Sequence, residues 1–301
     1  MLAAIDAGSN TLRLLVGEVV QGKVVPEFYL RRICRLAGDF SKDEGLSPTA
    51  RERTLFAFQE LAEACRQAKV QQIRAVGTAA FRQAINGEDF AHEIRTATQL
   101  PLTIISGEVE AECMAAGVLN ALDPVPEHAL IVDIGGGSTE FVLCLQKKVL
   151  WSRSLPLGVV RLTEGFSSPA MRQKVIEDAL KTLNVDLFNV CKSFGLNSSA
   201  LTLVGTAGTV TTLAALDMQM IDYDWRRVNN YSLPLPRLTH WQAVLTPLNH
   251  VEREALPGME AGRGDLIIAG VEIILCMMRQ MDTDCLTVSD FGILEGLLLS
   301  L

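Results

Sequence analysis

Three features of the sequence predict an α/β protein built from two related halves. The first is a repeated turn: Asp6-Ala7-Gly8-Ser9-Asn10-Thr11 and Asp133-Ile134-Gly135-Gly136-Gly137-Ser138 both read Asp-x-Gly-x-x-[Ser/Thr]. Their aspartates lie 127 residues apart, a distance that suits two half-molecules rather than a solenoid, whose repeats run about 20–50 residues. The second is the apolar, branched flanks of each turn. Leu12 to Val16 follows the first copy, while Ala129 to Val132 leads into the second and Phe141 to Leu145 leads out; such runs read as strands. The third is that strand-like runs alternate with segments of helical period.

Composition bounds the function. At 301 residues the chain holds one large or two ordinary domains. Its 49% hydrophobic and 21% charged residues are those of a soluble globular protein. It contains no apolar run of about 20 residues that would span a bilayer, so no membrane association is expected. The first apolar run passes straight into Asp6, so no signal peptide is read and a cytoplasmic location is expected. A net charge of −8 argues against DNA or other general nucleic-acid binding. A polyanionic small substrate stays compatible with it where arginines gather locally. Seven scattered cysteines without a Cys-x-x-Cys pair read as reduced core thiols. The four histidines show no metal-ligand spacing.

Taken in order, the first turn and its strands are followed by a polar, glycine-bearing stretch, Leu36 to Leu46. Ser47-Pro48 then opens a long helix, serine capping free amides and proline suiting the first helical position. Leu55, Phe58, Leu61, Ala62 and Cys65 mark its core face. Ile73 to Thr78 is a strand, Ala79 to Asn86 follows it, and Leu102 to Ile105 is another strand. Ser106 caps a helix running to about Leu122, with Glu108 and Glu110 in its first turns, where acids favour the dipole. Asp123-Pro124-Val125-Pro126 marks the domain boundary, since two prolines resist both helix and central strand. The expected domains are therefore 1–123 and 124–301. In the second, residues 170–192 read as an amphipathic packing helix bearing Val175, Ala179, Leu183 and Leu187. Residues 217–260 break the duplicated pattern with aromatic and proline-bearing segments and read as an insertion. Leu266 to Met278 is an apolar helix, Leu286 to Ser289 a last strand, and a terminal helix ends the chain.

The turns carry the chemistry. Gly135, Gly136 and Gly137 let backbone amides approach a phosphate, and Ser138 adds a hydroxyl. Asp133 and Glu140 bracket that loop with carboxylates, an arrangement suited to a hydrated Mg²⁺ beside phosphate oxygens. An ordinary glycine hairpin is the alternative for any one loop taken alone. A third loop, Gly205-Thr206-Ala207-Gly208-Thr209, follows a strand and opens a helix, where free amides and the dipole favour anions.

Together with Gly77-Thr-Ala-Ala-Phe-Arg82, Ser106-Gly-Glu-Val-Glu110-Ala, Leu157-Gly-Val-Val-Arg161-Leu and Ser289-Asp-Phe-Gly-Ile-Leu-Glu-Gly296, these stretches cover nearly the whole chain. The sequence resembles the exopolyphosphatase and guanosine pentaphosphate phosphohydrolase (Ppx/GppA) family, in its short two-domain form. The resemblance implies two ribonuclease-H-like domains of the actin, sugar-kinase and 70-kDa heat-shock superfamily, flanking an active-site cleft. It implies release of terminal phosphate from polyphosphate or guanosine pentaphosphate, the nucleotide tying the protein to the stringent response. It selects Glu110 as the carboxylate that activates water. Phosphate contacts are expected from Gly8, Ser9, Asn10, Thr11, Arg13, Arg82, Gly135, Gly136, Gly137, Ser138, Gly208 and Thr209. Arg35 and Arg161 are further substrate-binding candidates, because the guanidinium fork pairs with phosphate oxygens. Asp6, Asp133 and Glu140 are expected to hold Mg²⁺ or another divalent cation.

Three departures from the family pattern stand out. Val109 replaces a common acid, Asn229-Asn230-Tyr231 stands where relatives tend to carry His-Gly-Tyr, and Gly264 replaces an alanine. Two other readings stay open: an ATP-dependent kinase or ATPase of the same superfamily, and a weakly catalytic regulator that binds the alarmone. A homodimer is the expected assembly.

Overall fold

The computed structural model describes residues 1–38, residue 40 and residues 44–301. Positions 39 and 41–43, within the expected polar stretch Leu36 to Leu46, lie outside the described residues. The chain forms two compact units, each with its own mixed sheet.

Unit 1 comprises Met1–Asn120 and Gly292–Leu301. Its strands are β1 (Leu2–Ala7), β2 (Thr11–Val20), β3 (Lys23–Ile33), β4 (Gln72–Gly77) and β5 (Leu102–Ile104). They lie in the order β3-β2-β1-β4-β5. β1 to β3 form an antiparallel meander, and β4 and β5 are added parallel. Strand alternation puts Ala3, Ile5 and Ala7 with Leu12, Leu14 and Val16 in a core completed by Phe58, Leu61, Phe81, Phe90 and Ile94. The helix Pro48–Gln67 begins as the sequence predicts, Ser47 Oγ accepting the Ala50 amide at 3.3 Å. The segment Ala79 to Asn86, given no element by the sequence, opens with a helix and leads to another beyond it. A short helix ends at Gln83, Ala84 turns extended, and a second helix runs Gly87–Thr98. The reason is Phe81, whose carbonyl lies where a Cβ on Gly87 would sit, so only glycine permits the sharp re-entry.

Unit 2 comprises Ala121–Phe291. It contains β6 (His128–Ile134), β7 (Thr139–Leu145), β8 (Lys148–Leu155), β9 (Thr202–Thr206), β10 (Ser232–Pro234) and β11 (Cys285–Val288). Their order, β10-β11-β9-β6-β7-β8, repeats the first sheet with one extra strand at its edge. β6–β7–β8 is again an antiparallel meander, with β9 and β11 parallel beyond it. The helix Pro169–Ser193 matches the expected packing helix, although its buried face is Ile176, Leu180, Leu183, Leu187 and Cys191, with Val175 and Ala179 only half-buried. The expected insertion, 217–260, is part of the fold. Its Ser232–Pro234 pairs with β11, and Leu233, Leu238, Trp241 and Leu245 are buried in the core.

The boundary differs from the sequence expectation of 1–123 and 124–301. The break falls after Asn120, and the last ten residues return to unit 1. Two glycines explain the return. A Cβ on Gly117, in the helix Gly107–Ala121, would lie 1.8 Å from the Gly292 carbonyl. A Cβ on Gly296, in the terminal helix Ile293–Leu299, would lie 1.7 Å from that of Cys113. Backbone meets backbone at this crossing, and the terminal helix goes on to pack against β1, β2 and β3. Substituting Gly296→Ala separates packing from propensity. Alanine favours an isolated helix by about 1 kcal/mol, yet the clash is expected to destabilise the protein by about 1–3 kcal/mol, read as a lower denaturant midpoint.

Candidate active site

The two Asp-x-Gly turns have the same construction. In unit 1 the Gly8 amide donates to the Thr11 carbonyl at 3.0 Å, and in unit 2 the Gly135 amide donates to the Ser138 carbonyl at 2.9 Å. Both turns join antiparallel strands in equivalent register, Asp6 opposite Arg13 and Asp133 opposite Glu140.

Behind each turn the chain returns to hold its carbonyls. After β3, Cys34 and Arg35 donate their amides to the Asn10 carbonyl at 2.9 and 2.8 Å, and Ala37 donates to that of Ser9 at 2.9 Å. After β8, the helix Val159–Gly165 begins at the second turn. Val159 donates to Gly135, and Val160 and Arg161 donate to Gly136, at 2.9–3.1 Å. This contact demands Gly158, where a Cβ would lie 2.3 Å from the Gly136 carbonyl. Carbonyls turned to one side leave amides turned to the other, the geometry of an anion nest. The Gly136 and Gly137 amides take no part in the loop's own backbone hydrogen bonds. Space for a Cβ on Gly137 is empty and no φ in this loop is left-handed, so its glycines are suited to the close approach of something outside the chain. The Gly8 and Gly135 amides, by contrast, are used by the turns themselves and differ in that from the expected phosphate donors.

The clamps also place two predicted arginines. Arg35 and Arg161 occupy equivalent points behind the two loops, each tied to its turn by its own amide and each exposed. Nothing in the sequence aligns these two residues; the third strand of each sheet brings them there.

Side chains differ from the expectation at several positions. Asp6 is buried, and its Oδ2 accepts from Arg13 Nε and Nη2 at 3.0 and 2.6 Å. Expected as a metal ligand and a phosphate contact respectively, these two are committed to each other, because the strand register sets them face to face. Ser138 was expected to offer its hydroxyl to phosphate; it donates to Glu140 at 2.6 Å, and Ser154 donates to the same oxygen at 2.8 Å. Nothing in the sequence marks Ser154, since only the pairing of β7 with β8 sets it opposite Glu140.

The helix Gly107–Ala121 starts as predicted, the Val109 amide donating to Ser106 Oγ at 3.3 Å. Its two acids part company. Glu108 is fully exposed, and the Ser106 hydroxyl holds its carboxyl below the usual range. Glu110 instead accepts from Arg82 Nη1 at 2.7 Å, and the same nitrogen donates to the Ile105 carbonyl at 3.0 Å. Arg82, expected as a phosphate contact, thus orients the carboxylate chosen as the base, while both groups remain partly open to water.

At the third loop Ala207 adopts φ +65°, a left-handed conformation rare for a residue with a side chain. The helix Ala207–Asp217 follows. Arg263 lies directly over Gly208, its Nη2 1.6 Å from where a Cβ would sit, and it is paired with Glu260. Free amides at a helix start and a guanidinium beside them both attract an anion. Thr209 differs from expectation, for its side chain is buried against Gly270 of the helix Ile267–Gln280 and packs rather than binds.

Within either unit, no three His, Cys, Asp or Glu side chains among the described residues group as a metal cage. Mg²⁺ does not need one, because it retains waters and takes one or two carboxylates beside substrate phosphates. Asp133 and Glu140, cross-strand neighbours with Glu140 steadied by two hydroxyls, fit that demand. Asp6, neutralised by Arg13, does not.

Two α/β units of one plan each carry a clamped glycine turn between antiparallel strands. Comparison with known proteins gives the family. The family model of the Ppx/GppA phosphatase family matches residues 15–301. Exopolyphosphatase 2 of Mycobacterium tuberculosis is 32% identical, over 100% of this chain and 98% of that one. The crystal structure of the Aquifex aeolicus Ppx/GppA phosphatase, type II variant, is similar with a TM-score of 0.83 at 30% identity, covering 99% of this chain and 98% of that one. An exopolyphosphatase structure from Cytophaga hutchinsonii shares the fold at TM-score 0.83 and 24% identity. The chain belongs to the Ppx/GppA phosphatase family.

The clamp yields a prediction in two parts. Gly158→Ala pushes the Gly136 carbonyl and misplaces the turn, so phosphate release should fall on the order of 10²-fold. Gly137→Ala meets no atom of the chain, so thermal stability should be unchanged while KM rises. Equal loss of stability in both variants would show that the loop serves packing alone.

Proposed function

We propose that this phosphatase hydrolyses the terminal phosphate of inorganic polyphosphate or guanosine pentaphosphate, with Glu110 activating the attacking water. The observation that carries the proposal is the separation of the two acids at the start of helix Gly107–Ala121. One is engaged by its own cap, and the other is held by Arg82 from a neighbouring element. A base must be fixed beside the reacting phosphate before its proton affinity matters, and an Arg82 nitrogen that also donates to the Ile105 carbonyl supports that fixation.

The remaining roles follow from the geometry of each unit. In unit 1, Arg35 stands beside the first turn, tied to it through its amide. In unit 2, the Gly136 and Gly137 amides and Arg161 would bind phosphate oxygens. Gly208 and Arg263 form a second place of positive potential in the same unit. Asp133 and Glu140 would hold Mg²⁺, which when bound neutralises phosphate charge. Positioning and charge neutralisation dominate phosphoryl transfer, and these are the resources this chain has. The name of the M. tuberculosis relative favours polyphosphate as substrate.

The test is a substrate panel of polyphosphate, guanosine pentaphosphate and ATP, run with wild type and Glu110→Gln. Loss of the base is expected to slow release from polyphosphate or the pentaphosphate by about 10²–10⁴-fold, with the fold intact by circular dichroism. Consumption of ATP alone, unaffected by the substitution, would transfer the protein to the kinase or ATPase reading.

A further inference from the structure

The two turns are clamped by segments of different kinds. Behind the second turn the clamping amides belong to the helix Val159–Gly165, which its own bonds hold, the Leu162 amide donating to the Gly158 carbonyl at 2.9 Å. Behind the first turn the clamp, Cys34 to Ala37, belongs to neither helix nor strand. Arg35 within it takes a left-handed φ of +47°, uncommon for a residue with a side chain. A segment of that kind keeps one conformation only where its surroundings fix it.

The fixing group comes from another element. Arg53, on the helix Pro48–Gln67, donates from Nε to the Cys34 carbonyl at 2.5 Å and from Nη2 to the Arg35 carbonyl at 3.3 Å. Two N–H groups of one planar fork thus bridge successive carbonyls, a contact that lysine cannot reproduce. The Cys34 carbonyl and the Arg35 amide belong to a single planar peptide and point in opposite directions. That peptide is gripped from both sides, by Arg53 at its oxygen and by the Asn10 carbonyl, 2.8 Å away, at its nitrogen. A charged donor at the oxygen bonds more strongly than a neutral one. It also polarises the peptide, which strengthens the bond that the N–H makes to the turn. The Arg35 carbonyl is held twice, by Arg53 and by the Gly38 amide at 2.9 Å.

We infer that Arg53 is a positioning residue for phosphate binding in unit 1. Its fork fixes the peptide planes on either side of Arg35, and through them the direction of the Arg35 side chain and the seat of the first turn. Arg53 acts on the substrate through Arg35 and not by its own charge. The inference rests on Arg35 as a substrate-binding residue of the proposed phosphatase and adds the residue that makes it one. Arg53 lies 18 residues along the chain from Arg35, in a helix whose apolar period does not single it out.

The experiment measures phosphate release from inorganic polyphosphate by the full chain. Wild type is compared with Arg35→Ala, Arg53→Met, Arg53→Lys and the double variant Arg35→Ala/Arg53→Met, with a thermal melt of each. Arg35→Ala is expected to raise KM about tenfold, the loss of one charge-assisted contact. Arg53→Met keeps the length of the stem and removes the fork; it should raise KM by a similar factor while kcat stays within about threefold. Arg53→Lys restores the charge without the fork and should leave KM as high as in the methionine variant. In the Arg35→Ala background the second substitution should change KM by less than about twofold, since both act through one contact. A KM restored by Arg53→Lys overturns the inference, because charge alone then suffices. So does a cumulative rise in the double variant, or a folded Arg53→Met protein that melts earlier but keeps the wild-type KM. Should the methionine variant not fold, the KM of the lysine variant decides alone. Arg35→Ala with an unchanged KM removes Arg35 from the substrate and takes the inference with it, and a wild type that releases no phosphate defeats the phosphatase reading itself. Both of those outcomes appear before Arg53 is changed, which separates them from failure of the inference alone.

Discussion

A turn can offer its amides to an anion only if its carbonyls find donors elsewhere, since buried or crowded backbone groups must all be paired. Both Asp-x-Gly turns meet this condition in the same way. The chain runs out along the third strand of the meander and comes back behind the turn, and consecutive amides close on its carbonyls. The antiparallel meander, the position of Gly158 and the placing of Arg35 and Arg161 all follow from that closure. Parallel strands added on the other side of β1 and β6 leave the turn end of each meander unchanged.

Duplication supplies the frame, and single substitutions within it supply the chemistry. Equivalent register carries Arg13 in one half and Glu140 in the other to the same place, and that one exchange reverses the charge set opposite the aspartate. A strand pair is well suited to such divergence. Its backbone ladder is indifferent to side-chain identity, while each side chain sits within reach of only a few others. The helix carrying Glu110 shows the same economy, with Glu108 given to a cap and Glu110, two residues on, to a neighbouring arginine.

Much of the fold was legible in the sequence. The repeated turn with apolar flanks marks both hairpins, and Ser47-Pro48 and Ser106 mark two helix starts by capping chemistry that acts over three or four residues. The split between Ala79 and Thr98 was not legible, because the signal is contact between Phe81 and Gly87, which helical period does not register. Nor was the return of the last helix to unit 1. A glycine in an apolar helix reads as a weak point, and only the opposing Gly117 shows it to be a crossing.

For the site, the sequence by itself determined which loops could meet phosphate and which residue types were at hand, because glycine turns and carboxylates are local features read in a line. It did not determine what those side chains face. That Asp6 belongs to Arg13, Ser138 to Glu140, Arg82 to Glu110 and Thr209 to Gly270 depends on strand register and helix crossing, which join residues from different elements or opposite strands. Arg263 reached Gly208 by the same means, over 55 residues of chain. Charge and hydrogen-bonding capacity are properties of residues, but whether they are spent within the chain or left for a ligand is a property of pairs, and the tertiary structure decides the pairs.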